Sequence, residues 1–229
     1  MGFNLAVTSL EIIAPQGGAY VFPTAGQHMH IKSSSAEDKG TATAGTGART
    51  VTLYYLDSGY REKSETVTLN GDTAVETSAT DIFRVQNIRV ATAGTSNTAV
   101  GNISLTNHDE NVTYGYIAAT YTRQRQMVWT VPLGKKLYVA MANVYAMHTV
   151  ENKRCLITLR ATYDDKSKTI PSAGLLFFAY AEAIIGEAPI HSEYPVYKTF
   201  PEKTDIKVEG VSDGTASVSI VLSGYTRKM

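Results

Sequence analysis

Apolar and polar residues alternate with a period of two along most of the chain, the pattern of half-buried β-strands. It is clear in Val51-Thr52-Leu53-Tyr54, Thr66-Val67-Thr68-Leu69, Asn102-Ile103-Ser104-Leu105, Val112 to Tyr116, Met127 to Val131 and Ser217 to Leu222. The longest run, Leu137 to His148, puts Leu137, Val139, Met141, Asn143, Tyr145 and Met147 on one face and Tyr138, Ala140, Ala142, Val144 and Ala146 on the other. Apolar residues on both faces predict a central strand covered on both sides. Turn signals separate the runs, among them Asn70-Gly71-Asp72, Asn107 to Asn111, Pro132-Leu133-Gly134 and Ser212-Asp213-Gly214. Asn-Gly between strand patterns predicts a hairpin, because both residues tolerate positive φ. No amphipathic helical stretch competes. The expected fold is all-β, an antiparallel β-sandwich with jelly-roll-like connectivity and an N-terminal extended arm.

The arm is suggested by a shift in composition. Ser33 to Arg49 is small, polar and glycine-containing, so it reads as a linker or long loop. The strand-like pieces before it, Leu5 to Ile13 and Ala19 to Phe22, are too short for a core of their own. The expected division is an arm with its linker at residues 1–48 and a β-sandwich domain at 49–229, two halves of which (about 50 to 132 and 133 to 229) suit two jelly-roll sheets. The alternative, in which the arm's strands belong to the same sandwich, stays open. If the arm is separable, deleting residues 1–32 leaves a folded domain.

Composition narrows the function. The 229 residues carry 21 Lys+Arg and 21 Asp+Glu, giving a formal net charge of zero, so nothing draws the chain electrostatically to nucleic acid or to an anionic membrane. No apolar run approaches the roughly 18 residues of a spanning helix; Leu175 to Ala181 is the best and is too short. The opening MGFNLAVTSLEIIAP lacks the features of a secretory signal, so synthesis in a cytoplasm without export is expected. One cysteine, Cys155, excludes a disulfide framework and sits in a strand-like run as a small core residue.

Candidate chemistry is sparse. His28 and His30 would share a strand face, a geometry that suits Zn or Ni, but His108, His148 and His191 stand far away in sequence, so no metal site is expected. Asp57, Glu62, Glu65, Asp81, Asp164 and Asp165 are carboxylates with nothing to choose among them as acid and base. Gly210-Val211-Ser212-Asp213-Gly214 matches the string of a nucleophile elbow, yet a strand pattern follows it and no histidine does. The Ala93-Gly94-Thr95 turn lacks the lysine and helix of a phosphate cradle. No catalytic residue and no cofactor is expected. Arg123 and Arg125, near Tyr121 and Trp129, suit a strand edge or an inter-subunit salt bridge. Tyr54, Tyr60, Tyr194 and Tyr197 could line a carbohydrate site or a partner contact.

The order of segments adds a resemblance. Glu65 to Val75 (ETVTLNGDTAV), Phe83 to Val90 (FRVQNIRV), Val100 to Leu105 (VGNISL), Trp129 to Tyr138 (WTVPLGKKLY) and Phe200 to Ile206 (FPEKTDI) together resemble β-rich virion structural proteins of tailed bacteriophages. The resemblance covers residues 50 to 229 and implies a non-enzymatic virion building block: a head decoration or minor capsid protein, or a tail or fibre protein that binds a host glycan. Its partners would be the major capsid protein, other virion proteins and copies of itself, with a trimer as the implied state. On this reading the apolar arm positions Phe3, Leu5, Val7, Leu10, Ile12, Tyr20 and Phe22, with Arg123 and Arg125, are the expected interface residues.

Overall fold

The structure is a computed structural model that describes residues 1–41, 43–148, 155–163, 175–181 and 188–229, with the backbone alone described at 5, 148, 163, 175–181 and 188–197. Among the described residues sixteen strands and no helix occur. They are β1 (Gly2–Val7), β2 (Glu11–Ile12), β3 (Met29–Ser33), β4 (Ala48–Leu56), β5 (Glu62–Thr68), β6 (Val75–Glu76), β7 (Arg84–Ala93) and β8 (Ile103–Asn107). The chain continues with β9 (Thr113–Ile117), β10 (Val128–Thr130), β11 (Lys135–His148), β12 (Cys155–Tyr163), β13 (Leu175–Ala181), β14 (Ala188–Phe200), β15 (Thr204–Ser212) and β16 (Ala216–Lys228). Every pairing is antiparallel. The strands form two compact units, one of residues 1–19 and 126–229, the other of residues 20–125.

The first unit is a jelly roll. One sheet has the order β1-β16-β11-β14, and the other has the order β10-β15-β12-β13, with β2 also on β15. With β2 and β10, which both pair with β15, counted as one strand position, successive strands change sheet except at the β12–β13 pair, the double Greek key of a jelly-roll sandwich. Val7, Val139, Val144, Val218 and Ile220 from one sheet and Ile157, Leu159, Ile206 and Val208 from the other share a single buried core.

One strand position of this sandwich is made from two distant pieces of chain. Glu11 and Ile12 pair with Gly210 and Glu209, while Val128, Trp129 and Thr130 pair with Lys207, Ile206 and Asp205. Val208 joins them: its carbonyl accepts the Ile13 N–H at 3.0 Å, and its N–H donates to the Met127 carbonyl at 2.9 Å. The entire second unit is therefore inserted within a single strand. The chain does not divide at residue 48, which lies in β4; residues 1–19 are strands of the jelly roll and residues 20–48 belong to the insert. Removing residues 1–32 takes Val7 and Ile13 out of the core rather than freeing an arm. Nor are the halves on either side of residue 132 the two sheets of one sandwich, since each unit has two sheets of its own.

In the second unit, β6-β3-β8-β9 and β5-β4-β7 each turn an apolar side inward, with Met29, Ile31, Ile103, Leu105 and Ile117 buried from the first and Val51, Leu53, Val67, Val85 and Ile88 from the second. The expected linker at Ser33 to Arg49 is here an anchored connection. Asp38 is fully buried, and its carboxylate accepts the N–H groups of Ala48 (2.7 Å), Val100 (2.9 Å) and Gly101 (2.8 Å) and the Ser33 hydroxyl (2.5 Å). Four donors satisfy a charge that burial would otherwise penalise by several kcal/mol. The Asn70-Gly71 turn forms, with Gly71 at φ 67, but the strands on its two sides, β5 and β6, lie in different sheets. The Gly71 N–H donates to the Asp38 carbonyl instead of closing a hairpin.

Strand β11 is central, between β16 and β14, as its pattern predicts. Its faces exchange at a β-bulge between Val139 and Met141, after which Ala142, Val144 and Ala146 point to the core and Tyr145 and Met147 outward. Coverage on both sides is therefore not what the alternation recorded; it recorded the bulge. Gly224 lies opposite, where a Cβ would overlap the Tyr138 carbonyl oxygen.

Two stability outcomes follow. Replacing Asp38 by Ala leaves buried N–H groups without an acceptor and should lower stability by about 3 kcal/mol, read as a shift of the urea midpoint. Gly224→Val should cost about 1–3 kcal/mol by crowding the bulge, with a melting temperature lower by about 2–4 °C per kcal/mol; an unchanged melting temperature would show that the bulge accommodates a side chain.

Candidate functional site

The expected interface residues do not form one surface. Val7 and Ile12 are buried in the jelly roll, where Val7 is part of the core, Phe3 is half-buried on β1, and Leu10 is exposed. Leu5 lies on β1, with its side chain outside the described residues. Tyr20 is buried in the second unit with its ring edge against Phe22 (5.1 Å between centroids). Arg123 and Arg125 precede β10 rather than extending it: Arg123 bridges Arg89 of β7, and the Arg125 guanidinium lies over the Tyr121 ring at 4.5 Å. Trp129 belongs to the other unit, on β10.

The tyrosines separate as well. Tyr54 is exposed on β4. Tyr60 is buried at φ 60 in the β4–β5 turn, edge-on to Phe83 at 5.3 Å and facing the Arg84 guanidinium, and so cannot reach a glycan. Asp57 fixes that turn by accepting the N–H groups of Gly59 and Arg61 at 2.8 and 2.9 Å. The side chains of Tyr194 and Tyr197 lie outside the described residues, as do Asp164, Asp165 and the side chains of His148 and His191. The Gly210 to Gly214 string ends β15 and leads into β16 with no helix. Gly210 lies beneath Ile13, Ile157 and Val7, which explains the glycine by packing.

What the jelly roll does present is an outward face along its central strands. Tyr145 and Met147 of β11 and Tyr225 of β16 are each about half exposed, at 51%, 45% and 48%. Beside them Ser217 and Ser219 of β16 pair with Met147 and Tyr145, and Tyr138 stacks on Tyr225 with centroids 5.1 Å apart and planes at 8°. Large apolar side chains flanked by small hydroxyls, on rigid central strands, make a flat contact surface. The bulge hides this signal from simple alternation.

The second unit brings together a group of ionisable side chains around His28, Glu76 and His108. Strand β3 runs between β6 and β8, with His30 opposite Glu76 on one side and Met29 opposite Asn107 on the other. Carried one residue further, that register sets His28 beside His108. The His28 Nε2 lies 3.0 Å from His108 Nδ1 and 3.2 Å from Glu76 Oε1, and His108 Nδ1 lies 3.6 Å from the same oxygen. The His30 ring sits 4.8 Å from that of His108, and its Nδ1 is 3.3 Å from Glu110 Oε1, while Lys32 pairs with Oε2 of the same carboxylate. The Lys32 ammonium first, then His30, hold the Glu110 carboxyl below its usual range. The Asn107 side chain shapes the loop that carries His108 and Glu110, accepting the N–H groups of Asn111 (3.1 Å) and Val112 (2.9 Å). Sequence separation concealed this group, because strand pairing brings residues some 80 positions apart into contact.

No protein family matches the sequence, and no curated protein matches it. Among solved structures, the chain is similar to a protein of the cowpea mosaic virus top component, at 9% identity over 93% of this chain and 88% of that one, with a TM-score of 0.27. It is also similar to a mutant VP2 of infectious bursal disease virus in T=1 particles, at 12% identity and TM-score 0.27, covering 97% of this chain but 56% of that one. The chain thus spans little more than half of the VP2 chain. Similarities with TM-scores this low carry no argument about role, and the fold assignment rests on the strand order itself.

Cys155 is buried in the jelly-roll core, as expected. Burial, and secondarily the charge of Asp213, pushes its thiol up to about 11. An aromatic disulfide reagent at pH 8 should therefore leave the native protein unlabelled and label one thiol after denaturation.

Proposed function

We propose that the protein is a non-enzymatic structural protein of a tailed-bacteriophage virion, a head decoration or minor capsid protein that binds the shell of major capsid protein as a homo-oligomer, in the first instance a trimer. The observation that carries this reading is the outward Tyr138, Tyr145, Met147 and Tyr225 face on the central strands of the jelly roll. Jelly rolls serve several functions, and such a face on an otherwise closed sandwich marks it for contact with another protein surface. The segment order over residues 50 to 229, which resembles virion structural proteins of tailed phages, supports the same reading. The neutral net charge suits dense packing of copies without mutual repulsion. The second unit, inserted within one strand of the jelly roll, would then be carried on the shell as a separate module.

The copy number of this chain relative to the major capsid protein in purified particles tests the placement. Comparable numbers are expected. A small multiple of three or six per particle would move the protein to the tail or a fibre, where Tyr54, exposed on β4, is a candidate for glycan contact, and absence from particles would overturn the virion reading. A Tyr145→Glu, Met147→Glu pair should keep the melting temperature within a few degrees and abolish both oligomerisation and shell binding, measured by sedimentation. Retained binding would remove the face from the argument.

A further inference from the structure

We propose that His28, Glu76 and His108 form a surface binding site for a divalent transition metal ion of the Zn2+ class. The three ligand atoms are His28 Nε2, His108 Nδ1 and Glu76 Oε1, separated pairwise by 3.0, 3.2 and 3.6 Å. Atoms held at roughly 2.0–2.1 Å around a tetrahedral Zn2+ lie roughly 3.3–3.4 Å from one another. The observed triangle is therefore close to one face of that tetrahedron, and a metal ion would sit over it with small side-chain adjustments.

The donor set has the right chemistry. Two imidazoles and a carboxylate suit Zn2+ and its neighbours in the first transition series, whereas Ca2+ and Mg2+ prefer all-oxygen shells. The ligands come from three separate places, the residue preceding β3, strand β6 and the β8–β9 loop, and each place is fixed independently. Gln27 beside His28 exchanges backbone hydrogen bonds with Ile82, at 3.2 and 3.0 Å. Glu76 is set by its pairing opposite His30, and His108 by the loop that Asn107 organises. The site is thus preorganised by backbone register rather than by the ion. His30 lies outside the triangle, its ring against His108 and its Nδ1 toward Glu110, where it restrains the His108 ring from the side.

Three protein ligands leave the fourth position open. The side chains are 38%, 51% and 58% exposed for His28, Glu76 and His108, so that position faces solvent and is available to water or to a donor from a neighbouring molecule. A bound ion would also tie β3, β6 and the β8–β9 loop together.

The test uses the full chain without a polyhistidine tag, stripped with EDTA and titrated with Zn2+ alone by calorimetry. One equivalent is expected to bind, with a rise in the melting temperature, and Co2+ in its place should give the intense visible absorption of a four-coordinate ion. His28→Ala, His108→Ala and Glu76→Gln should each weaken Zn2+ binding at least tenfold. Their melting temperatures in EDTA should match that of the parent, because the replaced side chains are on the surface. Absence of Zn2+ binding, binding unchanged in both histidine variants, or the weak spectrum of six-coordinate Co2+ would overturn the site.

Discussion

The architecture depends on one backbone position. Val208 accepts a hydrogen bond from Ile13 and donates one to Met127, so β15 serves as the template on which two segments more than a hundred residues apart complete a single strand. An interior strand such as β15 needs its N–H and C=O groups paired, but it does not need them paired by contiguous chain. That freedom allows a whole second sandwich to be inserted without breaking the ladder. The Met127 N–H also donates to the Ile13 carbonyl, at 3.0 Å, which closes the junction from the other side.

Once the junction holds, the two units solve their packing separately. The jelly roll buries aliphatic side chains from both its sheets together with a few partnered polar groups, among them Glu11, which accepts the N–H groups of Thr8 and Gly18 at 3.0 and 3.1 Å. The inserted sandwich places the Asp38 carboxylate inside. Asp38 draws donors from the end of β3, the start of β4 and the segment before β8, and so fastens a long polar connection that has little apolar surface to bury. A satisfied buried carboxylate takes the place of a hydrophobic anchor, and its four donors fix the path of the chain more narrowly than apolar packing would.

The two functional surfaces arise from the same devices. The bulge in β11 turns Tyr145 and Met147 outward on a rigid central strand, while Gly224 lets the neighbouring backbone approach. In the second unit the β3–β8 register aligns His28 with His108 and leaves Glu76 beside them on β6. The tyrosine face stands wholly on strands, while the histidine group takes His108 from the β8–β9 loop, which the Asn107 side chain holds against the end of β8.

Much of the secondary structure was legible in the chain, because a pleated strand repeats every two residues and a local pattern records that directly. The all-β class, the central position of β11, the buried Cys155 and the turn at Ser212-Asp213-Gly214 with a strand after it all follow from sequence. What escaped was everything set by pairing between distant segments. The sharing of one strand by residues 11–13 and 127–130, the anchoring of the Ser33 to Arg49 connection, the burial of Tyr60 and the meeting of His28, Glu76 and His108 have no local signature. A period of two says which residues face the same way, but not which strand lies alongside; that is decided by cross-strand hydrogen bonds and by the core, and only the tertiary structure contains them.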